Sequence, residues 1–397
     1  MGATLATVDA IMKEVYEKDV QEQLNSDAVG WKRIQRSSEG ITDEIGGKYV
    51  TFPIKTKRNH GVGARNENEA LPVAGQQGYA PVRVRLNYLY GAVRLTGQSI
   101  RLSDSNYKAF AAVLDEEMSG IKTDLAKDMN FQFYGAGSGV RAAVTADAAN
   151  TITVDNIQYL EEGMMIDVLD TTLVTTRIAN RMITAINETT KVVTYNGADG
   201  SASIVATDKV VRTGNVNREI TGLNAILQDT GALYDVDPAV ERIWKAAVNH
   251  NAGTPRALSE ALMIQTVDAV RTKGGYPSVG FTSLGVRRAY FNLLKQERRF
   301  VNTQKFEGGF EGLAFTTDKG DIPIIVDVDA PFGQIQFVDE KQLKLYREGD
   351  WSWMNMDGSI WQRVIGFDAY EATMFMYAEM GTHRRNSHAS LRDLTEG

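Results

Sequence analysis

Apolar residues recur along this chain with several different periods, and each period predicts an element. Val8, Ile11, Met12, Val15 and Tyr16 fall on one face of an amphipathic helix over residues 6–24. Residues 25–48 are polar and glycine-containing, with Trp31 and Ile34 as isolated anchors, so residues 1–48 read as an N-terminal arm. A strand over 49–54 and a strand run from Pro81 to Thr96 then frame a basic, glycine-punctuated stretch around residues 57–72. This reads as a long β-hairpin over 49–96. Ser103-Asp104-Ser105 supplies helix-cap chemistry. From there Phe110, Val113, Leu114, Ile121, Leu125 and Met129 keep helical spacing until Tyr134 meets Gly135 to Gly139. That helix holds about 30 residues, roughly 45 Å at 1.5 Å per residue, the length of a strut.

Residues 140–218 change character. Short alternating runs at 151–154, 164–168, 181–186, 191–195 and 209–212 are separated by Gly, Asn, Asp and Thr turns, the pattern of a small all-β insert on an exposed face. Residues 219–339 read as mixed α/β. Thr254-Pro255 is a helix start and Gly274-Gly275 a stop, with a further helix over 285–297. Strands are expected at 279–282, 313–316, 322–328 and 334–338. More strands follow at 343–347 and 360–369, then an apolar run at 373–378 and a basic tail.

The hairpin tip is the most informative stretch. It holds almost no large aliphatic residues, so it cannot bury enough apolar surface to offset its own ordering. A structureless loop of this length is uncommon inside a compact domain. Order supplied by a neighbouring molecule resolves the conflict, which points to an assembly protein. Arg58, Arg65, Arg83 and Arg85, set against Glu67 and Glu69, are the candidate inter-subunit contacts, since guanidinium forks pair carboxylates bidentately. One exposed pair contributes little, but a lattice repeats it many times.

Composition narrows the classes. The 397 residues can bury a large core, and 43% hydrophobic with 23% charged content is ordinary for a globular chain. The absence of cysteine excludes disulfides and thiolate metal sites. No run approaches the roughly twenty apolar residues of a membrane helix, and the N-terminus lacks a secretory pattern. A net charge of −7 argues against a free-standing DNA-binding protein, though not against a container for nucleic acid.

Catalytic chemistry finds no foothold. None of the four histidines (His60, His250, His383, His388) stands in a nucleophile context, and no Gly-x-Ser-x-Gly elbow exists. His383 and His388 read as an ordinary polar tail at an interface. Gly135 to Gly139 follows a helix instead of opening one, so helix termination explains it better than phosphate binding. Asp235 and Asp237 precede Pro238 and read as a turn with a cap. Asp327 and Asp329 alternate along an expected strand and read as a solvated face. Trp351, Trp353, Met354 and Met356 read as packing residues. No catalytic, cofactor or metal site is expected.

The order of arm, hairpin, strut helix, β insert, α/β region and closing strands resembles the major capsid protein of tailed bacteriophages, with its Hong Kong 97-like, α+β fold. Gly91-Ala92-Val93-Arg94-Leu95-Thr96, Arg218-Glu219-Ile220-Thr221-Gly222-Leu223, Ile322-Pro323-Ile324-Ile325-Val326-Asp327 and Trp361-Gln362-Arg363-Val364-Ile365-Gly366 are the local matches. The resemblance implies an extended loop over 49–96 that lies across a neighbouring subunit. A spine helix with the first part of a peripheral domain would occupy 97–139, and an inserted β domain 140–218. An axial domain over 219–339 would gather around five-fold and six-fold axes, and the rest of the peripheral domain would fill 340–397. It further implies a non-enzymatic protein that forms pentamers and hexamers in an icosahedral virion shell, assembled in the host bacterial cytoplasm. That shell would enclose double-stranded DNA without sequence-specific binding and without a membrane. Portal, scaffolding and decoration proteins are the implied partners. Two departures stand out. Some relatives begin with a cleaved scaffolding region of roughly a hundred residues, and here the arm starts near Met1, so that region is expected to be absent or removed. Some relatives crosslink a loop lysine to a neighbour's asparagine, but this tip is arginine-rich with only Lys55 and Lys57 at its base, so no crosslink is expected. An encapsulin-type compartment, which shares the fold but encloses proteins, is the nearest alternative. A carbohydrate-processing enzyme with a β binding module is the rival from another class.

Overall fold

The computed structural model describes residues 27–36, 41–42, 49–98, 107–296, 304–305, 311–317, 319–355 and 358–397. The helix expected over 6–24 and the cap at Ser103 to Ser105 lie outside these residues. The first described helix, α1 (Val29–Arg36), carries both arm anchors into the core, with Trp31 1% and Ile34 5% exposed.

Strands β1 (Ile41–Thr42), β2 (Val50–Lys57) and β3 (Gly78–Val84) follow. β2 and β3 pair with each other as a two-stranded antiparallel ribbon, Val50 opposite Val84 and Lys57 opposite Gly78. The expected single run from Pro81 to Thr96 is in fact two strands. β3 stops at Val84, and β4 (Asn87–Thr96) joins a different sheet, running antiparallel to β19 (Ala369–Thr382) from Asn87 opposite Ala378 to Thr96 opposite Ala369. The chain changes sheets because Val82 and Val84 are drawn into the core while the Arg83 N–H donates to Tyr234 O, outside the ribbon. Alternation alone cannot reveal such a switch, since it continues on both sides.

Helix α2 (Tyr107–Tyr134) packs beneath β4, where Gly91 leaves room for Leu125. It ends as expected at the glycine run, with Gly137 and Gly139 at positive φ. Strands β5 (Val140–Ala148), β6 (Thr151–Val154), β7 (Met165–Leu169), β8 (Thr176–Asn187), β9 (Val192–Tyr195) and β10 (Lys209–Arg212) close a barrel in the order β10-β5-β6-β9-β8-β7. Closure leaves this sheet without an edge.

After the short helix α3 (Leu223–Ile226) comes a seven-stranded mixed sheet. It contains β11 (Ala247–Asn249), β12 (Val279–Thr282), β13 (Gln304–Lys305), β14 (Glu311–Thr317), β15 (Gly320–Val326), β16 (Ile335–Val338) and β20 (Ala389–Leu391), in the order β11-β20-β16-β12-β15-β14-β13. Helices α4 (Glu260–Arg271) and α5 (Leu284–Gln296) cover one face through Met263, Val267, Val270, Val286 and Tyr290. The other face shares Val279, Phe281, Ile325 and Val338 with the arm, the end of α2 and the closing sheet. The start expected at Thr254 is displaced to Glu260. Arg256 is held in an extended segment by Asp393 O and the Thr395 N–H, and Ser259 then caps the helix by accepting from the Leu262 N–H.

The closing sheet has the order β1-β17-β19-β18, with β17 (Leu343–Trp353), β18 (Gln362–Arg363) and β4 also against β19. The strand expected over 360–369 is broken into β18 and the first residue of β19, because the chain turns at Gly366 (φ 83°). The basic C-terminal stretch is not a tail. β20 is threaded between β11 and β16, which buries Arg385, Asn386, Ser387 and His388.

Candidate assembly surfaces

The ribbon of β2 and β3 is buried at its foot and open at its tip. Val82 and Val84 are fully buried, while Tyr79 is exposed and the loop over 58–77 lies almost wholly in solvent. Val62, Leu71 and Val73 are 83–87% exposed on that loop. A two-stranded hairpin is marginal by itself in water. Branched aliphatics left this exposed on one loop gain burial only if another molecule covers them.

The six candidate contact residues divide into three groups. Arg65 and Glu69 shape the tip itself. Arg65 Nε and Nη1 donate to Ala70 O and Ala64 O at 2.8 Å, and the Glu69 carboxylate accepts from the Asn66 N–H (3.0 Å) and Nδ2 (3.1 Å). Those bonds to Asn66 hold the Glu69 carboxyl below its usual range. Arg83 and Arg85 sit at the foot, roughly 20 Å of strand away from the tip. Arg83 lies over the Tyr49 ring, 5.7 Å from its centroid, and Arg85 pairs with Asp235 at 3.3 Å. Arg58 and Glu67 are exposed and, among the described residues, make no side-chain hydrogen bond or ion pair. The structure thus brings none of the four arginines onto Glu67 or Glu69 within one chain.

A buried polar junction escaped the sequence reading. Asp327 and Asp329 are 2% and 3% exposed, not a solvated face, because β15 stops at Val326 and the next residues turn inward. Asp327 accepts from the Gly30 N–H of α1 (2.9 Å), Tyr134 OH (3.0 Å), Asn130 Nδ2 and the Asp329 N–H (2.9 Å). Asp329 accepts from Lys127 Nζ at 2.8 and 2.9 Å and from Asn130 Nδ2 at 2.5 Å. Burial raises the Asp329 carboxyl despite Lys127, and burial beside Asp327 lifts the Tyr134 hydroxyl well above its ordinary value. One turn therefore clasps the arm and the strut helix together. The Asp-x-Asp spacing is visible in sequence, but its partners lie about 200 to 300 residues away.

The His388 ring is held between a backbone amide and a threonine hydroxyl. His388 Nδ1 accepts from the Asp339 N–H (3.1 Å), so its Nε2–H donates to Thr382 Oγ1 (2.8 Å). A triad would need a carboxylate at Nδ1. Burial, reinforced by Arg384, pulls His388 down to about 3. Nearby Glu379 is buried on β19 and accepts from the Thr221 N–H (2.6 Å), Asn87 Nδ2 (2.7 Å) and the Met380 N–H (3.0 Å). Burial nonetheless pushes it up to about 8. Stability linked to His388 is present above its unfolded value near 6.5 and is lost as pH falls toward 3. Stability linked to Glu379 is present below 4.5 and is lost as pH rises through 8. The two slopes cancel between roughly pH 4.5 and 6.5, so a plateau flanked by two declining limbs is expected. Thermal unfolding across pH should show it, and Glu379→Gln should flatten the alkaline limb. An unchanged alkaline limb would contradict the assignment.

Among the described residues, no group of three or more His, Asp or Glu side chains could hold a metal ion, and no helix is long and apolar enough to cross a membrane. A groove of about 950 Å³ lies between β4, α2 and the barrel, and the Lys127–Asp329, Arg141–Asp128 and Arg141–Glu219 pairs stand on its wall.

Comparison with known proteins completes the picture. No curated protein sequence matches the chain. The cyanophage A-1(L) capsid asymmetric unit superposes with a TM-score of 0.61 at 14% identity, covering 96% of this chain and 98% of that one. The capsid of a native GTA particle gives 0.51 at 9% identity, covering 100% and 99%. The holo-SrpI encapsulin complex from Synechococcus elongatus PCC 7942 gives 0.50 at 9%, covering 99% and 96%. At these identities the likeness is one of fold, and the fold is the Hong Kong 97-like capsid fold. Because the model of the SU10 major capsid protein matches residues 113–395, well over half the sequence, the chain belongs to the SU10 major capsid protein family and is a structural protein of a capsid shell.

Proposed function

We propose that the chain forms pentamers and hexamers that close into an icosahedral shell around the double-stranded DNA of a tailed phage. In this reading the segment over 49–96 lies across a neighbouring subunit. Residues 97–139 and 340–397 form the peripheral domain, 219–339 the axial domain near the symmetry axes, and 140–218 an inserted domain. Assembly takes place in the host bacterial cytoplasm with a portal and with scaffolding or decoration proteins, and the shell holds DNA without reading its sequence. The observation that carries the reading is the hairpin tip, where three aliphatic side chains and the unpaired Arg58 and Glu67 stand in solvent.

The first test is expression of the chain alone and with its neighbouring phage proteins, followed by size exclusion and negative-stain electron microscopy. Closed shells, capsomers or tubes support the reading, and a monomer under both conditions overturns it. Nuclease-protected double-stranded DNA inside the particles separates a phage head from an encapsulin-type compartment, which would hold protein. Arg58→Glu should lower the yield of assembled particles severalfold while leaving thermal stability within about 0.5 kcal/mol, because the side chain is exposed and unpaired in the single chain. Undiminished assembly of this variant would remove Arg58 from the contact.

A further inference from the structure

The barrel is joined to the rest of the molecule in an unusual way. Its apolar core, including Val144, Ile152, Ile166, Val168, Ile183 and Val210, shares no residue with the two clusters of the body among the described residues. The connections across the boundary are mostly polar. At the root, Arg141 on β5 and Arg212 on β10 both reach Asp128 Oδ1 on α2, at 2.7 and 3.2 Å, and Arg141 also meets Glu219 at 3.0 Å. Burial works against a charge on Asp128, but the two guanidiniums hold its carboxyl below the usual range. On the far side, Tyr159 OH donates to Asp329 O at 2.8 Å and the Gln158 amide donates to Val328 O. Tyr159 also meets Phe131 edge-on, with centroids 4.7 Å apart.

Between root and far side lies the 950 Å³ groove, with Tyr90 and Leu125 on the body side and Tyr159 and Met164 on the barrel side. The chain passes between body and barrel through two short linkers, 135–139 and 213–219, which run side by side where the Asn217 N–H donates to Ser138 O (3.1 Å). Both linkers contain residues in the left-handed region, Gly137 (φ 77°) and Gly139 (φ 79°) in one, Gly214 (φ 83°) and Asn217 (φ 53°) in the other.

We propose that the barrel is a hinged lid that pivots on Asp128 and the paired linkers and is latched over the groove by Gln158 and Tyr159 on the Val328-Asp329 turn. The inference rests on the capsid reading for its purpose, since shell maturation by domain movement needs parts that move as rigid bodies. Lifting the lid breaks two hydrogen bonds and one aromatic contact while leaving every apolar core intact, so it costs far less than unfolding any element. The latch turn is also the one that clasps α1 through Asp327 and α2 through Asp329. Barrel position is thereby tied to the seat of the arm and to the strut helix.

The test is hydrogen exchange on the full chain, wild type against Tyr159→Phe combined with Gln158→Ala. Removing the latch should speed exchange roughly ten-fold at the Asn215 and Asn217 amides of the linker and at the Ala330 amide beside the latch turn. The ladder amide of Val193 inside the barrel should keep its wild-type rate. Unchanged linker rates would overturn the hinge. Barrel ladder amides that quicken together with the linkers would also overturn it, because the latch would then belong to the barrel's own fold. The measurement does not require assembly, so a wild-type chain that never forms shells counts against the capsid reading alone.

Discussion

Arg385→Ala is expected to lower stability by about 3–5 kcal/mol, the size of effect that breaking a buried hydrogen-bond network produces. The side chain is 1% exposed and donates to five carbonyls: Ile226 (3.0 Å), Ala225 and Gly231 (3.1 Å), Thr230 (3.2 Å) and Trp244 (3.4 Å). Ala225 and Ile226 close α3, whose terminal carbonyls have no partner within the helix. Burial pulls Arg385 down to about 10, which still leaves it charged at neutral pH. Alanine would leave the buried Ile226 and Trp244 carbonyls without this donor, and each such orphan costs about 1–3 kcal/mol unless water reaches it, while Thr230 and Gly231 lie where water can replace the guanidinium. Arg385→Lys should recover little, since one ammonium with three donors cannot span five acceptors set in a fork. Arg385→Met separates volume from hydrogen bonding: denaturant midpoints close to those of alanine would assign the loss to the carbonyls. A loss below about 1 kcal/mol in the alanine variant would show that the carbonyls find other partners.

Asp327→Ala is the second large effect, again about 3–5 kcal/mol, and it carries a local signature. The Gly30 N–H, Tyr134 OH and Asp329 N–H would lose their acceptor, and Asn130 Nδ2 would keep only Asp329. The Trp31 N–H donates to Asn130 Oδ1 at 3.0 Å, so displacement of Asn130 loosens a second tether of α1. Amide exchange across 29–36 should therefore quicken more than exchange in the distant barrel. A uniform change across the molecule would mean that the arm is held by the burial of Trp31 and Ile34 alone. Asp327→Asn should lie between the two, since the amide keeps one acceptor oxygen for the three donors that converge on Oδ2.

Much of the secondary structure was legible. Strong periodicity over a long run located α2, the strand at 279–282 falls on β12 residue for residue, and the glycine run at 135–139 ends its helix as its chemistry requires. Turn-separated alternation marked five of the six barrel strands, but β5 was missed because Arg141, Ala142 and Ala143 hide its pattern. Where elements ended was harder to see. The 81–96 run split because its halves serve different sheets, and the 360–369 run broke because glycine turns the chain. Both outcomes depend on partners remote in sequence.

The exposure of the hairpin tip was legible for a different reason: its composition excludes burial within its own chain. The pairing of its charges was not legible, because Arg65 and Glu69 satisfy local backbone groups while Arg85 reaches Asp235, 150 residues away.

By itself the sequence determined the elements, their order and the exposed hairpin, since periodicity, capping and composition act over a few neighbouring residues. The tertiary structure alone decided which charged groups are buried. Asp327, Asp329, Arg385 and His388 are polar in any sequence, and only the convergence of distant donors and acceptors compensates the loss of water around them.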